Sequence, residues 1–419
     1  MTSTISEALR RGPSAAAHLV RTHELYPHVR SGDLTLRKSQ AAVLHRRKTM
    51  SVYQSATLPA DGLSNATFAD IRLSGADIID GITLRMTYAN NTGAQLALWN
   101  ARWAWYLLER IQVLAENGST VLETIEGEHL SKEWLQLPPS AYQRVKEGLQ
   151  GGADSAAGSP PAMNDGTSRT IYFPLLGCSL ATQEIPPFAL SSPIIVRVYF
   201  RGSAAFTGPF TATQVPNGTA GLSITAFDAV VTSYVHDATE RADLAQRYAM
   251  AGLRTPPLDI RFSRPGIQRT QENITSGPHT IRLSSVQGLV TSISVVLQKI
   301  YTTMGFGYGL YGTPMVVDLL NPQGSSIYGS PLDFALLQVT QAISDGNVSG
   351  DYNLEKILSL PIGGGPSGEA AGQIHGYVTM SGDHQLQITC NPGVYTVSVI
   401  YRTVAHMRIE KSHVTVHSS

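Results

Sequence analysis

The sequence predicts an all-β chain built as two consecutive sandwiches, and three observations carry that expectation. Apolar and polar residues alternate with period two in segment after segment, as a sheet with one buried face requires. A short helical stretch from Asp237 to Arg247 interrupts this pattern once, and the strand pattern then starts again. The 419 residues include 38 Gly and 23 Pro, which suits many turns and a length of about two ordinary domains.

The strand signals begin near Phe68. Ile71 and Leu73 alternate with Asp70 and Arg72, and Ile82, Leu84, Met86 and Tyr88 alternate with Thr83, Arg85 and Thr87. Ile111, Val113 and Ala115 come next, and Asn117-Gly118 predicts a tight type I′ hairpin turn into Thr120–Ile125, because both central residues of that turn need positive φ. Gly127–Leu137 and Ala141–Gly148 read as short helices, and Gly151–Gly166 as a loop rich in Gly, Ala, Ser and Pro. A strand ends in Phe173-Pro174-Leu175-Leu176, and Ile194–Arg201 alternates again. Asp237 can cap the helix whose first turn holds Glu240, and Thr255-Pro256-Pro257 breaks the chain after it. In the second half Ile281 and Leu283 precede Ile293, Val295 and Leu297, and Tyr395, Val397, Val399 and Tyr401 form the last clear strand. The expected boundaries are an arm over 1–59, a first sandwich over 60–236, a helical linker over 237–256, and a second sandwich with a C-terminal tail over 257–419.

Charge is sparse and unevenly placed. Only 15% of residues are charged, against roughly 25% in typical soluble domains, which points to surface covered by neighbours. The chain as a whole is neutral, with 31 basic and 31 acidic residues. The first fifty residues nevertheless hold nine basic side chains, Arg10, Arg11, Arg21, Arg30, Arg37, Lys38, Arg46, Arg47 and Lys48, against Glu7, Glu24 and Asp33. That segment is therefore +6, and the remainder balances it at −6. It reads either as a solvated tail or as an arm that docks on an anionic membrane surface or a neighbouring subunit. Cys178 and Cys390 fall in different halves, so no disulfide framework is expected. No apolar run approaches a membrane span, and no signal-peptide core is seen. Six Asn-X-Ser/Thr sequons, starting at Asn65, Asn90, Asn117, Asn217, Asn273 and Asn347, read as chance products of the composition.

No catalytic, cofactor-binding or metal site is expected. Gly307–Gly312 matches a dinucleotide-loop pattern, but the extended Thr313–Val317 stands where a helix would have to start. Gly363–Gly368 lacks the lysine of a phosphate loop. His23 and His28 are five apart with Pro27 between them, so one helical face cannot present both. Ser179 and Ser367 lack a nucleophile elbow.

In collinear order, these segments resemble the double jelly-roll major capsid proteins of icosahedral DNA viruses. The likeness is to the large cytoplasmic viruses of eukaryotes and, more distantly, to internal-membrane phages. Phe68–Asp77 with Ile82–Met86 is similar to the family's first strand pair, and Trp105 to Leu137 to its strand, hairpin and helix. Phe173–Leu176, Phe188–Leu190 and Val196–Val198 resemble its Pro-Phe, Ala-Leu and Val-Arg run. Asp237, Glu240, Arg241, Leu244, Ala245 and Gln246 resemble the segment that links the two jelly rolls. Leu360-Pro361 with Pro366–Gly368 resembles the final loop, and Val397–Arg402 the last core strand. The chain is shorter than most eukaryotic-virus members, which implies small outer loops.

The resemblance implies two consecutive eight-stranded jelly rolls with short helices in their connections. It implies a non-enzymatic structural subunit of a virion, assembled inside the host cell as pseudo-hexagonal homotrimers that tile a shell with minor capsid and penton proteins. The basic arm would then meet an internal lipid membrane or a neighbouring subunit, with no sequence-specific nucleic acid. A spike, minor capsid or carbohydrate-binding jelly-roll module is the alternative, which exposed aromatic clusters on loops would favour; Tyr301, Phe306, Tyr308 and Tyr311 share one loop and read mainly as trimer or tower packing.

Overall fold

The computed structural model describes residues 47–55, 68–91, 96–97, 108–130, 162–176, 178–182, 185–200, 222–235, 238–299, 314–333, 336, 358–360, 362 and 377–418. The first half holds β1 (Arg47–Gln54), β2 (Phe68–Leu73), β3 (Ile78–Asn90), β4 (Leu96–Ala97), β5 (Leu108–Ala115) and β6 (Thr120–Glu126). After these come β7 (Ala162–Met163), β8 (Ser168–Leu175), the single turn α1 (Ser179–Thr182), β9 (Ile194–Phe200) and β10 (Leu222–Val235). Helix α2 (Ala238–Met250) links the halves. The second half holds β11 (Leu258–Ile274), β12 (His279–Arg282), β13 (Gln287–Lys299), β14 (Pro314–Leu320), β15 (Leu332–Asp333) and β16 (Leu358–Leu360). It closes with β17 (Val378–Ser381), β18 (Gln385–Cys390), β19 (Gly393–Glu410) and β20 (His413–Ser418).

Two four-stranded sheets face each other in the first half, ordered β1-β10-β3-β8 and β2-β9-β5-β6. The second half repeats this as β11-β19-β13-β16 and β12-β18-β14-β15, with β17 and β20 added to the first of these. Counting the eight main strands of each half in chain order, both halves read 1-8-3-6 and 2-7-4-5. That is one jelly roll made twice. The paired sheets bury the alternating residues the sequence marked: Ile71, Leu73, Leu84, Met86, Ile111 and Val113 are fully buried in the first core, and Ile293, Leu297 and Val397 in the second. Cys178 and Cys390 are free and buried, one in each core.

Three expectations need correction. Arg47–Gln54, assigned to the arm by the sequence, is a sheet strand: all eight residues pair antiparallel with β10, from Arg47 opposite Val235 to Gln54 opposite Asp228. The hairpin at Asn117-Gly118 exists, but its turn is longer than two residues. Ala115 pairs with Thr120, and Glu116, Asn117 and Gly118 all have positive φ. Within this turn the Glu116 carboxylate accepts from the Val414 amide at 2.9 Å and from the Ser191 hydroxyl. The C-terminal tail is also structured, since β20 pairs with the end of β19 and buries Val414 in the first core. Residues 127–130 are helical as expected, while the rest of that helix and Ala141–Gly148 lie outside the described residues.

Candidate functional site at the joint between the sandwiches

The features that distinguish this chain from a single sandwich lie where its halves meet. Helix α2 starts the joint. Arg241 on α2 reaches back to the first sandwich, with its guanidinium 3.0 Å from the buried Asp77 carboxylate and 4.5 Å above the Phe188 ring, and it donates to the Gly75 carbonyl at 3.2 Å. The C-terminal end of α2 meets the β19–β20 turn. The Ser412 amide donates to the Tyr248 carbonyl at 3.1 Å, and the Lys411 amide to the Ala251 carbonyl at 2.8 Å. These bonds satisfy carbonyls that a helix end otherwise leaves to water. From the first sandwich, the Ser191 amide donates to the Ser412 carbonyl at 2.9 Å, and Glu116 sits 2.9 Å from the His413 ring. These contacts hold the Glu116 carboxyl below the usual range against the opposing effect of its partial burial.

Below this, β6 and the turn of helix after it lie against β11. Arg269 on β11 pairs with Glu126 at 2.7 Å and Glu128 at 2.8 Å, and both acids hold its guanidinium protonated. The buried His129 ring bonds the Gly266 carbonyl across the joint at 2.9 Å. Gly266 itself is required there. A Cβ would stand 2.5 Å from the Tyr401 ring, whose hydroxyl donates to the Ser285 carbonyl.

At the centre lies a buried ionisable group. Glu123 on β6 is fully buried, and its Oε1 accepts from the Cys178 thiol at 3.1 Å, the Ser179 amide at 2.9 Å and the Ser179 hydroxyl at 3.0 Å. Its Oε2 accepts no hydrogen bond among the described residues. Desolvation pushes the Glu123 carboxyl up, more than these donors and Arg402 pull it down. Arg402 on β19 is 4% exposed, bonds the Ser263 carbonyl at 3.3 Å, and is the cation whose field reaches Glu123. Burial pulls the Arg402 guanidinium down. Burial and the neighbouring Glu123 charge push the Cys178 thiol well up, away from the thiolate a nucleophile needs.

Of the nine basic residues singled out by sequence, Arg47 and Lys48 lie on β1, and Arg10, Arg11, Arg21, Arg30, Arg37, Lys38 and Arg46 lie outside the described residues. The loop with Tyr301, Phe306, Tyr308 and Tyr311 also lies outside them. Among the described residues no three His, Cys, Asp or Glu side chains cluster as metal ligands, and no helix is long and apolar enough to cross a membrane. The joint residues Glu123, His129, Arg269 and Arg402 carried no sequence signal, because their partners are distant along the chain.

No family model and no curated protein matches the sequence. Solved structures do match its fold. The capsid of the PBCV-1 virus superposes with a TM-score of 0.66 at 12% identity, over 90% of this chain and 98% of that one. The Faustovirus major capsid protein gives 0.57 at 9% identity, over 87% and 91%. A chain of the Sputnik virophage gives 0.54 at 9% identity, over 89% and 88%. With the same strand order made twice and a helix-clamped joint between the copies, this chain has the double jelly-roll fold that these viral capsid structures share.

Proposed function

We propose that the protein is a structural major capsid subunit that forms homotrimeric, pseudo-hexagonal capsomers of an icosahedral viral shell. The observation that carries this reading is the rigidly joined pair of like sandwiches. Three copies of a two-sandwich chain present six similar bodies, which approximates sixfold symmetry and tiles a hexagonal lattice. The fold likeness to capsid proteins along almost the whole chain supports the reading. So does the low charge content, since subunits of a shell bury much of their surface in neighbours.

The work of such a subunit is mechanical. The Arg241 clamp, the α2–turn hydrogen bonds and the Glu123–Arg402 cluster fix the angle between the sandwiches, and a fixed angle is what a lattice repeats. The protein acts in the virion, with itself and minor shell proteins as partners and no catalytic role. The basic N-terminal segment serves as an arm toward an internal membrane or a neighbouring subunit.

Light scattering and electron microscopy of the full chain test this. A particle of about three times 45.0 kDa that assembles into shells or hexagonal sheets is expected. A lasting micromolar monomer that binds glycans and never assembles overturns it in favour of a carbohydrate-binding module.

A further inference from the structure

Strand β20 buries one face and shows the other to solvent. It pairs with the end of β19, from Glu410 opposite His413 to Ala405 opposite Ser418. Its inward side chains, Val414 and Val416, pack on the first core with Ala405, Met407 and Ile409. Successive side chains point to opposite faces of a strand, so the residues between these point outward. On that outer face His406 of β19 stands directly opposite His417 of β20. His406 is half-buried and His417 exposed. No other pairing among the described strands sets one histidine against another.

The register gives this pair the reach of a chelate. Directly opposed residues in an antiparallel pair have Cα atoms about 4.5–5.5 Å apart and their Cβ atoms on the same side of the sheet. Two nitrogens bound to one tetrahedral ion, each about 2.0–2.1 Å from it, lie about 3.3 Å apart. Imidazoles rising from neighbouring strands can converge to that spacing without moving the backbone. Neither ring has a hydrogen-bond or ion-pair partner among the described residues, so neither gives one up on binding.

The row also selects the class of ion. It continues on β11 with Arg261, which stands opposite His406, and it holds no carboxylate. Mg2+ and Ca2+ need oxygen ligands and gain nothing beside a guanidinium. Neutral imidazole suits Zn2+, Ni2+ and Cu2+. We infer that His406 and His417 chelate one divalent transition-metal ion, with water in its remaining positions, and that the ion clips β20 to β19 over the first core. In the unfolded chain no geometry holds the two rings together, so the ion favours the folded state. The site lies within one chain and stands independently of the capsid reading.

Thermal unfolding of the full chain with and without ZnCl2 tests this on the wild type, His406→Gln and His417→Gln. Circular dichroism without metal is the control for folding, and His417→Gln changes an exposed side chain, so its fold should persist. Zinc is expected to raise the wild-type unfolding temperature, and each substitution to abolish most of that rise. MgCl2 should give no rise. Equilibrium dialysis should find one zinc ion fewer on either variant than on the wild type, which separates this site from the remaining histidines. No zinc-dependent rise in the wild type, or a rise that both variants keep, overturns the inference. An equal rise with MgCl2 does so too, as does loss in one variant only, which makes the ligand a single imidazole. Each of these outcomes leaves the capsid reading intact.

Discussion

Glu123 and Arg402 are oppositely charged, buried, and pushed toward neutrality from opposite sides. The Glu123 carboxyl is raised and the Arg402 guanidinium lowered, each chiefly by desolvation. An acid raised in the folded state binds its proton more tightly there than in the unfolded chain. Its contribution to stability is therefore present below the unfolded value of about 4.3 and is lost as pH rises through the folded value. Glu123→Gln should flatten this part of the pH dependence, seen as a smaller fall in unfolding temperature between acid and neutral pH. Arg402→Met alone should lower the unfolding temperature, because it removes the cation whose field reaches Glu123 and leaves the Ser263 carbonyl without that donor. Adding Glu123→Gln to Arg402→Met should recover much of that loss. Thermal melts of the four proteins check both outcomes. Neither residue was legible as a partner in the sequence. Glu123 sits mid-strand among ordinary strand residues, and its acceptor contacts come from Cys178 and Ser179, 55 and 56 residues away.

The β19–β20 hairpin turns through Lys411 and Ser412, at φ 51° and 64°, between the paired Glu410 and His413. Two residues at positive φ match a type I′ turn, which Asn-Gly adopts with less strain. The backbone amides, not the side chains, bond the end of α2, so the joint survives the exchange. Lys411→Asn with Ser412→Gly should stabilise the protein by about 1 kcal/mol, read as a higher midpoint in chemical denaturation. Strands with a buried face were readable because alternation and burial coincide, as at Ile82, Leu84 and Met86. β1 escaped notice because its pattern is inverted. Met50 and Val52 point out while Thr49 and Ser51 are half-buried, so the period that marks a strand gave the wrong face.

For the whole molecule, charge is segregated: the first fifty residues carry +6, and the rest balances them. Each basic residue near an anionic membrane surface gains about 1 kcal/mol, within a Debye length of about 8 Å at physiological salt. Deleting residues 2–45 removes six of the nine basic side chains but leaves β1 and both sandwiches whole. The shortened protein should still form the oligomer, yet bind anionic liposomes more weakly or assemble shells less well. Unchanged liposome binding and assembly would show that the arm does neither. The two-sandwich layout itself was legible because it rests on repeated short-range alternation and one helix. The joint was not, since it depends on how two finished sandwiches lean together.

The length of β19 bears on how such a chain is made. One continuous strand closes the second sandwich with Tyr395, Val397 and Val399, and then its far end lays Ala405, Met407 and Ile409 on the first core. Val414 on β20 joins them there. The first core is thus completed by strands that follow the whole second sandwich along the chain. During synthesis the N-terminal half can collapse and pair its strands, but an apolar patch stays open until β19 and β20 have been made. The first sandwich is therefore finished only together with the second, in contrast to the usual sequence in which the leading domain matures first. Contacts between residues so far apart also slow the search. A chain built this way spends an interval with sticky surface exposed, and chaperones have that interval in which to act.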